Sequence, residues 1–586
     1  MGIVTEGSMK RVINVAAKRE LADVVIKGGK IVDVFNLEVI TGDIAIADGM
    51  IVGIGDFQGK HVIDAAGQYI APGFIDGHVH IESTMATPKE FSKVVLPHGV
   101  TTVVADPHEI ANVSGTDGIQ FMIDESEGLD LDVRIMLPSC VPATTFENAG
   151  AVLNNNELKP FYHHSRVLGL AEVMDFPSVK NSEPNMIEKM VCALNYRHHI
   201  DGHCSGFDED GINIYRSAQI KTDHECVSRK EVQMRIQRGM YVMIREGSTT
   251  KNLKELLPMV TPYNARRFLF CTDDKHINEL RDEGSIDHNI RLAINSGMNP
   301  LQAIQIATLN AAECFGLTTK GAIAPGFEAD LVFISDLSKL VINRVVKAGR
   351  TVAQSGKYVG REQGTVTSKL KSNLIQSVHI ADISKADLKI MIGEDQTAHV
   401  IGLIKNQVVT KKQLMQVPVN NGEFIPSVER DLVKLAVIER HKSTGNVGLG
   451  IVHGLQLLSG AIASTVAHDS HNLVVAGTND DDMLTAIKTI ATMNGGLVVV
   501  LGGEVISKLE LPISGLLSEK PYEEIIAELD SLHRGLDQIT MQKNAHTFIT
   551  LSFLSLPVIP SLKLTDQGLF DVDEMKHISI SHKVLI

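Results

Sequence analysis

The segment PGFIDGHVHIES, residues 72–83, sets His78 and His80 two positions apart at the end of an apolar run. In an extended strand, side chains at i and i+2 point to the same face. The pair can therefore offer two imidazole nitrogens to a cation, or simply close a strand with two hydrogen-bonded rings. Other polar residues also end apolar runs: His108 and Glu109, Ser139 and Cys140, Glu172, His203, His224, Arg245 and Glu246, Asp273 and Asp274. Four of these imidazoles (His78, His80, His203, His224) and two carboxylates (Glu172, Asp273) form a donor set of nitrogen and oxygen without thiolate, which suits Zn(II), Fe(II) or Mn(II). A carboxylate such as Glu172 can bridge two cations and offset their repulsion. A bound cation lowers the pKa of water from about 15.7 to about 7. Asp273 can accept the proton so released and deliver it to a leaving group. The set predicts metal-assisted hydrolysis.

These residues need a scaffold that brings strand ends together. Eight strand candidates run through residues 69–80, 101–109, 133–140, 167–174, 200–204, 220–225, 241–246 and 267–274, most of them separated by helical stretches such as 231–239. This alternation predicts a TIM-like (β/α)8 barrel, whose active site lies at the C-terminal ends of its strands. An open doubly wound sheet competes, but no Gly-rich dinucleotide fingerprint follows any strand. Residues 20–70 and 321–357 read as short strands joined by turns such as KGGK and ADGM. The economical division is a small β-sandwich from 1–70 and 321–360, a catalytic barrel at 71–320 inserted into it, and an α/β domain at 361–586. In that last region, NDDDM (479–483) predicts a helix N-terminus, where carboxylates complement the dipole.

A chain of 586 residues predicts three or four domains. The composition, 44% hydrophobic and 21% charged, is that of a folded protein. A net charge of −15 argues against nucleic acid or an anionic membrane as partner. Six cysteines without a CxxC pair read as reduced thiols in a cytoplasmic protein. The N-terminal residues lack the apolar core of a signal peptide, and no apolar run is long enough to span a bilayer.

The motif PGFIDGHVHIES, the single histidines His203 and His224, and the Asp of CTDD resemble the amidohydrolase superfamily. More closely, DGHVHIESTM, GVTTVVADPHEIANVSG, GLAEVMDFP, DGHCSG, TDHE and VAHDSHN together resemble the bacterial adenine deaminases over nearly the whole chain. Many binuclear amidohydrolases bridge their metals with a carboxylated lysine on strand 4. This chain has Glu172 there, as the adenine deaminases do, which argues against a hydantoinase or dihydroorotase.

The resemblance implies hydrolytic deamination of adenine to hypoxanthine and ammonia. Hydroxide made on Mn(II) or Fe(II), with Zn(II) the third candidate, would attack C6. His78, His80 and Asp273 would hold one cation, His203 and His224 the other, and Glu172 would bridge them. Asp273 would carry the proton to the leaving nitrogen. Addition at C6 also requires a proton donor to N1, and Glu82, His108, Glu109 and Glu246 are its candidates. Asp274 would bind the N7–N9 side of the purine or cap a helix. His468, Asp469 and His471 in VAHDSHN leave three readings open: reaching over the barrel mouth, holding another metal, or forming a hydrogen-bonded turn. A homodimer is the expected assembly. Two other readings compete: an amidohydrolase acting on a cyclic amide or another aminated heterocycle, and a non-enzymatic binding protein.

Overall fold

The computed structural model describes residues 5–361, 371–393, 396–405, 407–541 and 546–582. Its centre is a ring of parallel strands. β1 (Phe74–Val79), β2 (Val100–Ala105), β3 (Asp132–Leu137), β4 (Val167–Val173) and β5 (Ile200–Gly202) pair in sequence order. β6 (Thr222–Asp223), β7 (Tyr241–Arg245) and β8 (Phe268–Cys271) form a second parallel arc. The arcs join at both seams. The Lys221 N–H donates to the Ile200 carbonyl at 3.0 Å, and the Asp273 N–H to the His78 carbonyl at 3.0 Å.

Strands buried on both faces read as continuous apolar runs, and every residue of β1 and β2 is buried. One compact cluster gathers Ile75, Val104, Met136, Ala171, Met243 and Leu269, from six different strands. Residues so far apart in sequence meet this way only by facing a common axis, so the barrel is filled and its strand ends are left for chemistry. Gly77 allows β1 to approach β8 closely: a Cβ there would lie 2.4 Å from Leu269 Cδ1.

Strands from both flanks of the barrel share one nine-stranded sheet. Tyr69–Pro72 pairs antiparallel with Leu331–Asp336, in the register Leu331 to Pro72. An eleven-residue helix, Glu6–Ala16, precedes this sheet and is capped by Thr5; the sequence analysis did not assign it.

The C-terminal region carries an eight-stranded, mostly antiparallel sheet and two long helices, Asp480–Met493 and Tyr522–Ile539. The first follows the NDDDM signal: Asn479 accepts the Asp482 N–H at 2.8 Å, and three aspartates occupy the first turn. This region is fastened to the mouth end of the barrel. The Asn148 N–H donates to Asp566 at 2.9 Å, the Tyr522 N–H to Glu90 at 3.1 Å, and the Ser518 N–H to the Met85 carbonyl at 2.9 Å. All six cysteines are buried and free. Among the described residues, no helix is long and apolar enough to cross a membrane.

Candidate metal centre and active site

His78 and His80 leave β1 at its C-terminal end, and their Nε2 atoms come within 3.1 Å of each other. His80 turns its Nδ1 to the Asp106 carbonyl at 3.0 Å. A carbonyl only accepts, so the ring's proton sits on Nδ1 and the Nε2 lone pair faces the cluster, as a metal ligand requires. Glu172, at the end of β4, reaches between two groups of rings. Its Oε1 lies 3.4 Å from His80 Nε2 and 3.7 Å from His78 Nε2. Its Oε2 lies 2.8 Å from His203 Nδ1 and 3.2 Å from His224 Nε2. Asp273, just past β8, puts Oδ1 3.2 Å from His80 and 3.6 Å from His78. His224 also stacks on His78, with ring centroids 4.2 Å apart.

All but His203 of these six are at most 4% exposed. Their electrostatics are those of a cation site. Burial pushes the Glu172 carboxyl up, but His224 and His203 outweigh it and hold it well below the usual range. Burial likewise opposes charge on His224, yet Glu172 lifts its pKa to about 9. Buried imidazoles and carboxylates at these distances share protons when alone and exchange them for metal ions. Within His78, His224 and Asp273, and again within Glu172, His203 and His224, the donor atoms lie within 4.8 Å of one another. The donor set fits one or two divalent cations.

Two cavities open beside this cluster. The larger, about 450 Å³, is lined by His80, Glu172, His203, His224, Asp273 and, from the C-terminal region, Val408, Phe553, Leu556 and Ile559. The second, about 380 Å³, is lined more by apolar side chains, among them Phe548 and Ile549, with Ser83 at one wall. Asp274, His468 and Phe553 line both.

The remaining sequence candidates fall into two groups. His108, Glu109 and Asp274 line the cavities. Glu82 and Glu246 do not: Glu82 accepts the Ile110 N–H and Glu246 the Leu253 N–H, each tying down a loop. Asp274 accepts a hydrogen bond from the Ser83 hydroxyl. Two of the three readings of VAHDSHN hold together: the segment closes a hydrogen-bonded turn, with the His471 N–H on the Ala467 carbonyl at 2.8 Å, and it reaches over the barrel mouth. His468 Nδ1 lies 2.6 Å from Glu109 Oε1, and His471 Nε2 contacts Glu109 Oε2.

Sequence reasoning passed over Asp106, which accepts from His80 through its carbonyl and lies 3.0 Å from His108 Nδ1 through its carboxylate. Its place in VADPHE, at a strand end beside His108, was the available signal. It also missed Glu225, which accepts from Arg245, and the apolar roof around Phe553, which no local pattern marks.

A filled parallel barrel with imidazoles and carboxylates gathered at one rim defines the amidohydrolase class. A family model described as "Amidohydrolase family" matches residues 69–352, and one described as "Adenine deaminase C-terminal domain" matches residues 407–576. The chain is 55% identical to the adenine deaminase of Geobacillus kaustophilus over 568 residues, covering 97% of this chain and 98% of that one. It is 51% identical to the adenine deaminase of Bacillus subtilis over 570 residues, covering 97% and 98% respectively. Among solved structures it is similar to an atrazine chlorohydrolase of Arthrobacter aurescens complexed with zinc. That match has 15% identity and a TM-score of 0.45, over 58% of this chain and 97% of that one. The chain belongs to the adenine deaminase family.

Proposed function

We propose that the site hydrolyses adenine to hypoxanthine and ammonia, a step of purine salvage. One observation carries this reading: Glu172 turns Oε1 to His78 and His80 and Oε2 to His203 and His224, as a bridging carboxylate would. In this reading His78, His80 and Asp273 would hold one divalent cation, His203 and His224 would hold a second, and Glu172 would lie between the two ligand groups. The cations are Mn(II) or Fe(II), with Zn(II) the remaining candidate. When bound they supply activated water at neutral pH.

The protein's own groups do the rest. Asp273 stays ionised: burial pushes its carboxyl up, but Arg245 outweighs this and holds it well below the usual range. It can therefore take the proton of the attacking oxygen and carry it to the departing nitrogen. Asp274, bonded to Ser83, offers its other oxygen to a purine N–H. Phe553, Leu556 and Ile559 exclude water above the ring. The proposed division of labour gives chemistry to residues 71–320, support to the flanking sheet, and a roof to residues 361–586. A homodimer in the cytoplasm is the assembly this reading assumes.

The test offers manganese-loaded protein adenine, adenosine, cytosine and a cyclic amide, and follows ammonia and ring opening. Prompt ammonia from adenine alone supports the reading. Turnover only of the cyclic amide or of another heterocycle overturns it.

A further inference from the structure

Addition of water to C6 of a purine pushes the C6–N1 π pair onto N1, so a proton must arrive there. Glu82 and Glu246 do not line the cavity. His108 is held at Nδ1 by Asp106 at 3.0 Å, and its Nε2 faces two carboxylates, Glu109 at 3.4 Å and Asp469 at 3.8 Å. Glu109 receives an imidazole on each oxygen and has no proton to give.

The geometry of segment 466–472 decides between a metal site and a hydrogen-bonded relay. The Ala467 N–H donates to His471 Nδ1 at 3.0 Å. An amide only donates, so His471 carries its proton on Nε2, the atom that faces Glu109 Oε2. A protonated Nε2 has no lone pair for a cation, so Glu109, His468 and His471 do not form a third metal site. Glu109 instead accepts from both rings, and His468 presents Nδ1–H to it at 2.6 Å. The His468 ring is further fixed by stacking on Phe553, with centroids 4.5 Å apart. No hydrogen bond to its Nε2 is found among the described residues, and His468 lines both cavities beside Asp274.

We propose that His468, contributed by the C-terminal domain, is the catalytic residue that protonates N1 of adenine, with Glu109 and His471 as its positioning residues. This rests on the adenine reading above. The atoms balance. The water oxygen bonds to C6, the π pair moves to N1, and N1 takes the proton of His468 Nε2. Asp273 carries the proton of the added oxygen to the amino group, the C6–N bond breaks with its pair on nitrogen, and ammonia leaves. The product keeps the N1 proton as hypoxanthine, and His468 regains the proton that water released on activation. Glu109 favours the charged ring: burial opposes charge on His468, but Glu109 and Asp274 outweigh it. The barrel therefore holds the metals and the base, while the C-terminal domain delivers the acid.

The test compares manganese-loaded wild type, His468→Gln, Glu109→Gln and the double variant, all as full chains, by kcat, KM, metal content and melting. His468→Gln should lower kcat on adenine by about 10²–10³-fold, with KM and metal content within about threefold of wild type. Glu109→Gln should lower kcat in the same direction, and the double variant should fall no further than His468→Gln, because the two act as one unit. His468→Gly should regain part of its rate when imidazole is added, which a merely structural clasp would not do. His468→Gln turning over within threefold of wild type, or additive losses in the double variant, overturns this inference alone. Wild type releasing no ammonia from adenine overturns the underlying reading instead. If His468→Gln does not fold, an unchanged kcat in Glu109→Gln overturns the inference.

Discussion

Arg245 donates from Nη1 to Asp273 Oδ2 at 2.7 Å, tying the end of β7 to the second residue beyond β8. The same Nη1 serves Glu225, and all three groups are buried. One guanidinium thus keeps two carboxylates charged in a site that also needs their negative charge for cations. Replacing it by an apolar group removes a permanent positive charge that both buried carboxylates share and leaves them only titratable imidazoles as neighbours. Arg245→Met should raise the Asp273 pKa, so the acid-side fall of kcat/KM should move up by about one pH unit or more. Melting should also drop, since breaking a buried pair costs roughly 3–5 kcal/mol. A pH–rate profile checks the first part; an unmoved acid limb would separate Arg245 from the ionisation of Asp273.

Asp273→Asn keeps the shape and a side-chain oxygen but removes the proposed base. Much of the metal should remain, and turnover should fall by roughly 10²–10⁴-fold. Metal analysis alongside ammonia release checks both; near-wild-type rates would remove Asp273 from proton transfer.

Glu172→Ala removes a carboxylate that turns one oxygen to each pair of imidazoles. Bound metal should drop to half or less of the wild-type content after gel filtration, whereas Glu172→Asp should retain more. Elemental analysis of protein grown with manganese decides. Two tightly held equivalents in the alanine variant would mean that the carboxylate is no bridge.

Lys563 gives a pH dependence away from the metals. It is fully buried and donates from Nζ to the carbonyls of Val408 and Phe553, both at 2.8 Å, bracing the roof. Burial pushes its pKa down to about 7, whereas a lysine in the unfolded chain titrates near about 10.4. Between these values the unfolded state binds more protons. Stability therefore carries the full penalty below about pH 7 and rises toward about pH 10. Relative to Lys563→Met, wild type should gain on the order of 1 kcal/mol per pH unit across that window. Denaturant titrations at pH 7, 8 and 9 measure the difference, and parallel curves would contradict it.

The barrel and half of its chemistry were legible in the chain itself. β1, β2, β4, β7 and β8 are largely apolar runs with polar ends, the pattern a parallel strand buried on both faces favours, whereas β5 and β6 are short and partly polar. His78 and His80 stand two apart at such an end, so their proximity is local geometry. His203, His224, Glu172 and Asp273 could be added by position, because a closed ring brings every strand end to the same rim. The roof was not legible. Glu109 and His468 are separated by 359 positions, and HDSH looks the same whether it reaches a carboxylate or bonds only to itself. Nor does a local pattern show that Glu82 faces Ile110 while His468 faces the cavity. Residue type and spacing determine what a strand end can ligate, because that depends on a backbone a few residues long. Which proton donor meets the substrate depends on how two sheets distant in the chain are pressed together, and only their packing decides that.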